Sequence, residues 1–424
     1  MPASASLAPR HAAFALVQAV LNEGRGLSDV LTRPPEIYAA LPPEGRARAQ
    51  RLAVDGFRHA GRADHHLHRA LRKTPPEPLR WVLRLALTEI HVGGQAAHGV
   101  IHDAVDLARA AGFAKFTGLT NAVLRQLAEG LDWGAAPAPR LPGWLRGGLQ
   151  NAYGATGTAA IEAAHLRPPA LDLTLRGPRP EGLAGTVLPT GTLRLDGGGQ
   201  VSALPGYSDG AWWVQDAAAA LPARLLADLG DARVLDICAA PGGKTMQLAA
   251  QGAQVTALDI SATRMARLRD NLARTGLKAD VIVADALDWR PDTPFDAILL
   301  DAPCSATGTI RRHPELPWLR KREDVVALRQ LQAALLDRVL DPDQGLLRPG
   351  GRVVYCTCSL LPAEGEDQIA AAMTRHPVKL LPTDIPGVPP EWHAPQGGLR
   401  TRPDYWSDLG GLDGFFIASL QHRG

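Results

Sequence analysis

Four cysteines in the second half of the chain are the residues best suited to nucleophilic chemistry. They are Cys238, Cys304, Cys356 and Cys358. Cys304 and Cys358 fall in predicted loops after strand-like runs, which are the positions expected of reactive thiols. We interpret Cys238 and Cys356 as small core residues. Zinc sites favour cysteine pairs spaced C-x2-C to C-x4-C, and this chain has none, so we expect no bound metal.

Acidic residues form a second group of candidates, because they end or follow successive apolar runs. They are Asp236, Asp259, Asp285 and Asp301. Ligands of open α/β sheets bind outside the carboxyl ends of the strands. Several acids at such ends therefore indicate a functional crevice.

The first of these runs leads into a turn of small residues. The turn consists of Cys238, Ala239, Ala240, Pro241, Gly242, Gly243 and Lys244. Small residues let a ligand approach the backbone, and a helix N-terminus behind the turn offers N–H groups. The phosphate-loop pattern G-x-x-x-x-G-K-[ST] requires glycine where Cys238 stands, and the dinucleotide pattern G-x-G-x-x-G is absent. The turn therefore favours a nucleoside cofactor without phosphate.

The acids narrow the choice of cofactor. Asp259 lies one strand further on, where an acidic residue meets ribose hydroxyls, and Asp285 could accept a hydrogen bond from an adenine amino group. S-adenosylmethionine is a nucleoside cofactor without phosphate, and it offers ribose hydroxyls to Asp259 and an adenine amino group to Asp285. We expect its methionine end above Asp301.

The elements that must position these residues alternate from about residue 216. Candidate strands span residues 233–238, 254–259, 281–285, 295–301 and 351–358, and candidate helices span 244–250, 261–275 and 323–340. This alternation predicts a parallel sheet with helices on both faces. Ser261 is a candidate N-cap and Gly276 a candidate C-terminal stop.

The first 130 residues have a different character. Phe14, Val17 and Leu21 have helical spacing, Gly24 can end that helix, and residues 80–92 and 101–111 are further helical candidates. This region holds 16 Lys and Arg against 11 Asp and Glu, which favours a polyanion partner. A Pro-rich linker at 135–142 and short strands at 171–175 and 192–195 follow.

Composition excludes several classes of protein. No apolar run of 18 residues occurs in the 424, so no transmembrane helix is expected. Four cysteines are too few for a disulfide framework, and a cytoplasmic location is the simplest setting.

Four segments resemble the motifs of RNA cytosine-5 methyltransferases. They are D-I-C-A-A-P-G-G-K-T at 236–245, D-A-P-C-S-A-T-G at 301–308 with R-R-H-P at 311–314, Y-C-T-C-S at 355–359, and D-G-F-F at 413–416. The N-terminal region, with N-A-V-L-R at 121–125, resembles a NusB-like RNA-binding domain. Together they are similar to the RsmB (Sun/Fmu) family of ribosomal RNA cytosine-5 methyltransferases.

The resemblance implies a multidomain fold. An all-α NusB-like RNA-binding domain would span 1–135, a linker with a small α+β RNA-recognition module 136–215, and an α/β Rossmann-like methyltransferase domain 216–424. The implied cofactor is S-adenosylmethionine and the implied substrate is 16S rRNA. We expect a monomer with no membrane partner.

The resemblance also implies residue roles. Cys358 would attack cytosine C6, Asp301 would bind N3, and Cys304 would assist release of the product. Lys244 could lower the pKa of a thiol, although a first-turn helix residue is the plainer interpretation. Exchange of the two cysteine roles stays open, because DNA cytosine-5 methyltransferases use the thiol of a Pro-Cys motif.

Other functions and one further surface stay open. A transfer-RNA cytosine-5 methyltransferase and a non-catalytic NusB-like RNA-binding or antitermination protein are the alternatives. The second is disfavoured because a scaffold needs neither thiol. Arg311, Arg312 and Trp318 could form a substrate wall that grips phosphates and stacks on bases.

Overall fold

The computed structural model describes residues 7–197 and 199–423. The outermost residues of the predicted domains, 1–6 and 424, lie outside the described residues. The α-helices are α1 (Leu7–Glu23), α2 (Leu27–Val30), α3 (Glu36–Ala39), α4 (Pro43–Ala70), α5 (Glu77–His91), α6 (Ala97–Ala110), α7 (Thr117–Ala128), α8 (Gly143–Ala164), α9 (Leu221–Arg224), α10 (Gly243–Ala250), α11 (Ala262–Thr275), α12 (Leu316–Leu319), α13 (Arg322–Leu340) and α14 (Glu366–Arg375).

The strands form two sheets. They are β1 (Asp172–Leu175), β2 (Thr186–Val187), β3 (Leu193–Arg194), β4 (Trp212–Val214), β5 (Arg233–Ile237), β6 (Gln254–Asp259), β7 (Asp280–Val283), β8 (Phe295–Asp301), β9 (Leu347–Thr357), β10 (Val378–Leu381), β11 (Leu399–Arg400) and β12 (Phe416–His422). The small sheet has the order β2-β3-β1-β4 and is antiparallel throughout. The large sheet has the order β10-β12-β9-β8-β5-β6-β7, with β11 paired to β12.

Contacts divide the chain into two compact units, and the three-domain division stays a prediction. The first unit contains the described residues up to Pro168 together with 310–320. It is helical, as predicted. α1 ends before Gly24, whose φ of +65° suits a residue without a side chain. Trp81 and Leu124 are among its fully buried core side chains.

The second unit, residues 169–309 and 321–423, contains both sheets. β5 to β9 are parallel, and the predicted α/β Rossmann-like fold is confirmed. Ser261 caps α11 by accepting from the Arg264 N–H, and Gly276 ends it at a φ of +66°, as predicted. β5 lies between β8 and β6. The chain therefore first adds β6 and β7 on one side of β5, and later adds β8 and β9 on its other side. Ligands of such sheets bind at the carboxyl ends of these strands.

The expectation of a wholly parallel sheet is wrong at one edge. β12 lies between β9 and β10 and is antiparallel to both. Parallel neighbours need a crossover, usually a helix, and α14 provides one between β9 and β10. Residues 382–415 contain only short 3-10 turns and β11, so the chain returns in the opposite direction. Among the described helices, none is long and apolar enough to cross a membrane.

Candidate active site

The turn after β5 is shaped by left-handed backbone conformations. Cys238 has a φ of +61° and Gly242 a φ of +104°. A Cβ atom on Gly242 would lie 2.8 Å from Cγ of Leu268, so this position requires glycine. α10 begins at the next residue, Gly243. The predicted cofactor turn therefore connects the end of β5 directly to a helix N-terminus.

Asp259 supports this turn from the neighbouring strand. It is buried at the end of β6, and its carboxylate accepts hydrogen bonds from the Ala240 N–H at 3.2 Å and the Ser261 N–H at 2.9 Å. Arg264 lies 3.6 Å from the same carboxylate. Asp285 follows β7 by two residues, is exposed, and accepts from the Leu287 N–H at 2.9 Å.

The strand ends around the turn carry a negative potential. Burial raises the pKa of Asp236 to about 7, although the Thr245 hydroxyl donates to it at 2.5 Å. Burial, followed by the carboxylates of Asp301, Asp259 and Asp236, raises the pKa of Cys238 to about 12. Cys238 is therefore a neutral thiol, and the surrounding charges favour a cationic ligand.

Lys244 and Asp301 form the ionic centre of the site. The Lys244 ammonium donates to Asp301 at 2.7 Å, and the Cys356 thiol donates to the other carboxylate oxygen at 3.3 Å. Burial lowers the pKa of Lys244, but the charges of Asp301, Cys356 and Asp236, together with the hydrogen bond to Asp301, raise that pKa above its ordinary value. Lys244 is therefore a cation held by Asp301.

The two loop thiols lie side by side. Cys304 Sγ and Cys358 Sγ are 3.4 Å apart. They meet because β8 and β9 are parallel neighbours in which Asp301 pairs with Cys356, so the loops that follow leave the sheet together. Within the described ranges, no group of three or more His, Cys, Asp or Glu residues is arranged to bind a metal.

Glycine contacts connect these loops to the C-terminal D-G-F-F segment. The Gly308 N–H donates to the Cys358 carbonyl at 2.9 Å, and the Gly414 N–H donates to the Gly308 carbonyl at 2.9 Å. A Cβ atom on Gly308 would lie 1.9 Å from the Gly414 carbonyl oxygen. Backbone hydrogen bonds therefore join three of the four sequence motifs into one group of loops.

Glu364 also belongs to this group of loops, although the sequence analysis did not identify it. Its side chain is fully buried, and its carboxylate accepts hydrogen bonds from Ser305, Ser359 and Gln332. A glutamate five residues after a short strand-end motif has no signature of its own. Only the fold shows that it lies between the two thiol loops.

The prediction that Arg311 forms part of a substrate wall is wrong. This side chain is 1% exposed, within the helical unit, and its carbonyl accepts from Arg58. The Trp318 ring packs 5.2 Å from that of Trp81, also in the helical unit. Residues 310–320 are therefore held largely by packing, which a motif-based interpretation could not anticipate.

Comparison with known proteins gives family matches over both regions of the chain. The model of the family described as 16S rRNA methyltransferase RsmB/F matches residues 223–421, and that of the NusB family matches residues 7–129. The ribosomal RNA small subunit methyltransferase B of Cronobacter sakazakii is 34% identical, covering 97% of this chain and 98% of the relative. The protein of that name from Salmonella typhi has the same identity and coverage.

Solved structures share the fold. The crystal structure of PH0851 covers 99% of both chains with a TM-score of 0.73 at 23% identity. A methyltransferase homologue from Pyrococcus horikoshii covers 64% of this chain and 92% of its own, with a TM-score of 0.53 at 27% identity.

Proposed function

Because the chain belongs to the 16S rRNA methyltransferase RsmB/F family, we propose that it methylates C5 of a cytosine in 16S rRNA. The cofactor is S-adenosylmethionine, and the proposed route passes through a covalent bond between Cys358 and the base. The observation that carries the proposal is the pair of thiols 3.4 Å apart, next to the Lys244–Asp301 ion pair.

The donor set of the turn fits the cofactor. The turn would hold it with its backbone, Asp259 would bind the ribose, Asp285 the adenine and Asp301 the methionine end. The carboxylates that raise the pKa of Cys238, after burial, also favour a sulfonium cation. When bound, S-adenosylmethionine supplies an electrophilic methyl group.

A thiol is needed because cytosine C5 is a poor nucleophile. The Cys358 thiolate adds to C6, which makes the ring an enamine and raises the electron density at C5. After C5 has been methylated, a general base takes the C5 proton, the C5–H electron pair restores the C5=C6 double bond, and Cys358 leaves C6 as a thiolate. The place of Cys358 in the loop directly after β9, beside Cys304, supports this role.

Asp301 would contact N3 of the cytosine ring, and Lys244 would hold Asp301 in place. With a proton between its carboxylate and N3, Asp301 would bind or protonate the base as the thiolate adds, and that proton neutralises the negative charge that develops on the ring. Lys244 holds Asp301 through a 2.7 Å hydrogen bond, and so orients it. We therefore assign Lys244 to positioning Asp301.

Cys304 would assist release of the enzyme from the product. The hydrogen bond with Cys358, burial, and the charges of Cys358 and Glu364 raise the pKa of Cys304 well above its ordinary value. A thiol that keeps its proton is a poor nucleophile but a suitable partner for a departing sulfur. The raised pKa supports a release role for Cys304, and the resemblance of the Y-C-T-C-S segment at 355–359 supports Cys358 as the attacking residue.

The NusB-like region would supply most of the RNA affinity. Residues 1–130 carry an excess of basic residues, and phosphate contacts dominate such binding. We further propose that residues 136–215 form an RNA-recognition module and that the protein acts as a monomer in the cytoplasm.

Covalent trapping tests the roles of the two thiols. We expect Cys358→Ala to be inactive and to form no adduct, while Cys304→Ala accumulates an RNA–protein complex that survives denaturation. A denaturing gel with 16S rRNA separates the outcomes. A stable adduct with Cys358→Ala would reverse the assignment, and an active Cys358→Ala without any adduct would reject covalent catalysis.

The RNA substrate is tested by bisulfite sequencing of ribosomal and transfer RNA from a deletion strain. We expect one cytosine of 16S rRNA to lose its 5-methyl group. Loss confined to transfer RNA would favour the transfer-RNA alternative. Unchanged methylation in both, combined with RNA binding in vitro, would favour a non-catalytic RNA-binding protein.

A further inference from the structure

A buried carboxylate joins the two loops that carry the thiols. We propose that Glu364 is a positioning residue, which holds the Cys304 and Cys358 loops at the separation that the reaction needs. This inference rests on the proposed function. Glu364 makes its hydrogen bonds to the neighbours of the thiols, so its effect on the reaction is transmitted through them.

The carboxylate binds both loops at once. On the Cys304 side it accepts from the N–H of Ser305 at 2.9 Å and from the Ser305 hydroxyl. On the Cys358 side it accepts from the Ser359 hydroxyl at 2.6 Å. Ser305 and Ser359 each follow one of the two thiols in the chain. The carboxylate is therefore a bridge placed one residue from each sulfur.

The backbone of Glu364 is fixed as firmly as its side chain. Its carbonyl accepts from the Tyr355 hydroxyl at 2.8 Å and from the Thr357 hydroxyl at 3.2 Å, both on β9. Gln332 of α13 donates to the carboxylate at 3.0 Å. Strand, helix and both loops therefore converge on one residue.

A purely space-filling role does not account for this arrangement. A buried carboxylate is costly unless donors satisfy it, and Glu364 receives four hydrogen bonds. An apolar side chain would fill the same volume without that cost. Unlike an apolar side chain, the carboxylate can hold a backbone N–H and two hydroxyls from separate loops at fixed distances.

The charge of Glu364 also acts on Cys304. The hydrogen bond with Cys358 and burial come first among the causes that raise the pKa of Cys304, and the charge of Glu364 adds to them. The same residue therefore sets the distance between the sulfurs and helps to keep Cys304 protonated.

Kinetics of Glu364→Ala and Glu364→Gln test the proposal. An error of about 1 Å in placing reacting groups can cost about 100-fold in rate, so we expect Glu364→Ala to lower kcat about 100-fold. The KM for 16S rRNA and the Kd of S-adenosylmethionine should stay within twofold of the wild type. Glutamine can keep a bridge through its amide, so Glu364→Gln should recover most of kcat, with a shifted pH profile.

A second pair of variants keeps the proposal testable if Glu364→Ala fails to fold. Ser305→Ala and Ser359→Ala each remove one hydroxyl donor and keep the charge, and loss of one such hydrogen bond corresponds to about a tenfold fall in kcat. Glu162→Ala is the matched control, because Glu162 is also a buried carboxylate that accepts from a backbone N–H and an arginine, in the helical unit. Its kcat should stay within threefold of the wild type.

The outcomes separate this inference from the proposed function. If the wild type neither methylates 16S rRNA nor forms an adduct with 5-fluorocytidine RNA, the proposed function fails. If the wild type is active and Glu364→Ala keeps kcat within threefold, the positioning role is rejected. It is also rejected if Glu364→Ala loses cofactor affinity in parallel with kcat, or if Glu364→Gln is as slow as Glu364→Ala.

Discussion

Asp259 shapes the turn, and we propose that it also binds the ribose. Asp259→Ala removes the acceptor for the Ala240 and Ser261 N–H groups. By the proposal, it also removes two charge-assisted hydrogen bonds to the ligand. Each bond of this kind contributes about 1.5–3 kcal/mol. We therefore expect the Kd of S-adenosylmethionine to rise at least 100-fold, as measured by calorimetric titration.

The control for this prediction is Asp270→Ala, which removes an exposed carboxylate from α11. It changes the net charge equally and should leave the affinity unchanged. An unaltered Kd in Asp259→Ala would contradict the ribose assignment.

Individual residues could be selected from the sequence where a motif or a strand end marked them. Cys304, Cys358, Asp301 and Lys244 were selected in this way, and the fold brings each thiol and each charge next to its partner. Their roles stay predictions until variants are measured. Glu364 could not be selected, because its importance depends on contacts with Ser305 and Gln332, which are distant from it in the chain.

The loops after β8 and β9 depend on a glycine that permits close packing. In Gly308→Ala, the new Cβ atom would overlap the Gly414 carbonyl, so the D-G-F-F segment must move away from the thiol loops. Overpacking of this kind costs about 1–3 kcal/mol. We expect a lower Tm and a loss of methyl transfer larger than the loss of stability explains.

Gly118→Ala provides the comparison, because a Cβ atom there meets nothing within 4 Å in α7. It should keep both Tm and activity at or above the wild-type level. Wild-type activity in Gly308→Ala would show that the thiol loops tolerate displacement.

The parallel strands were predicted well because each combines an apolar run with a turn signal. β6 and β8 have the predicted bounds, while β9 begins four residues before the predicted strand. The four-residue edge strand β10 and the internal antiparallel strand β12 were not predicted from the alternation of strands and helices, since no α-helix separates them in the chain. The long helix α4 was also not predicted, because its apolar positions are separated by many arginines and histidines.

The helical unit should be sensitive to acid, because it buries neutral histidines. Burial, with the nearby cations Arg58 and Arg62, lowers the pKa of His59 to about 4. The unfolded chain, with a histidine pKa near 6.5, then binds protons that the folded protein does not. The free energy of unfolding should therefore fall as the pH drops from about 6.5 to 4, by about 3 kcal/mol for His59.

Urea unfolding of His59→Gln at pH 7 and pH 5 tests this. The variant should lose less stability between the two pH values than the wild type does. His68→Gln, which replaces an exposed histidine of the same helix, should behave like the wild type. Equal losses in His59→Gln and the wild type would contradict the assignment.

RNA affinity should depend on salt mainly through the helical unit. Arg69, Arg72 and Lys73 are exposed cations at and just after the end of α4. Arg69 and Arg72, together with His65 and His68, line a cavity of about 480 Å³. Each phosphate contact contributes about 0.7–0.9 to the slope of log affinity against log salt concentration. Changing the three cations to glutamine should therefore make this slope shallower by about 2–3 if all three contact phosphates.

A second triple variant, which changes the net charge by the same amount, tests which unit makes the phosphate contacts. Arg267, Lys278 and Lys379 are exposed cations of the second unit, and their change to glutamine should alter the slope by less than half as much. Filter binding of 16S rRNA between 50 and 200 mM salt, roughly the range in which phosphate contacts dominate, measures both slopes. If the two triple variants shift the slope equally, the basic excess of residues 1–130 is not the main source of RNA affinity. The family's N-terminal region would then have to act through shape rather than charge.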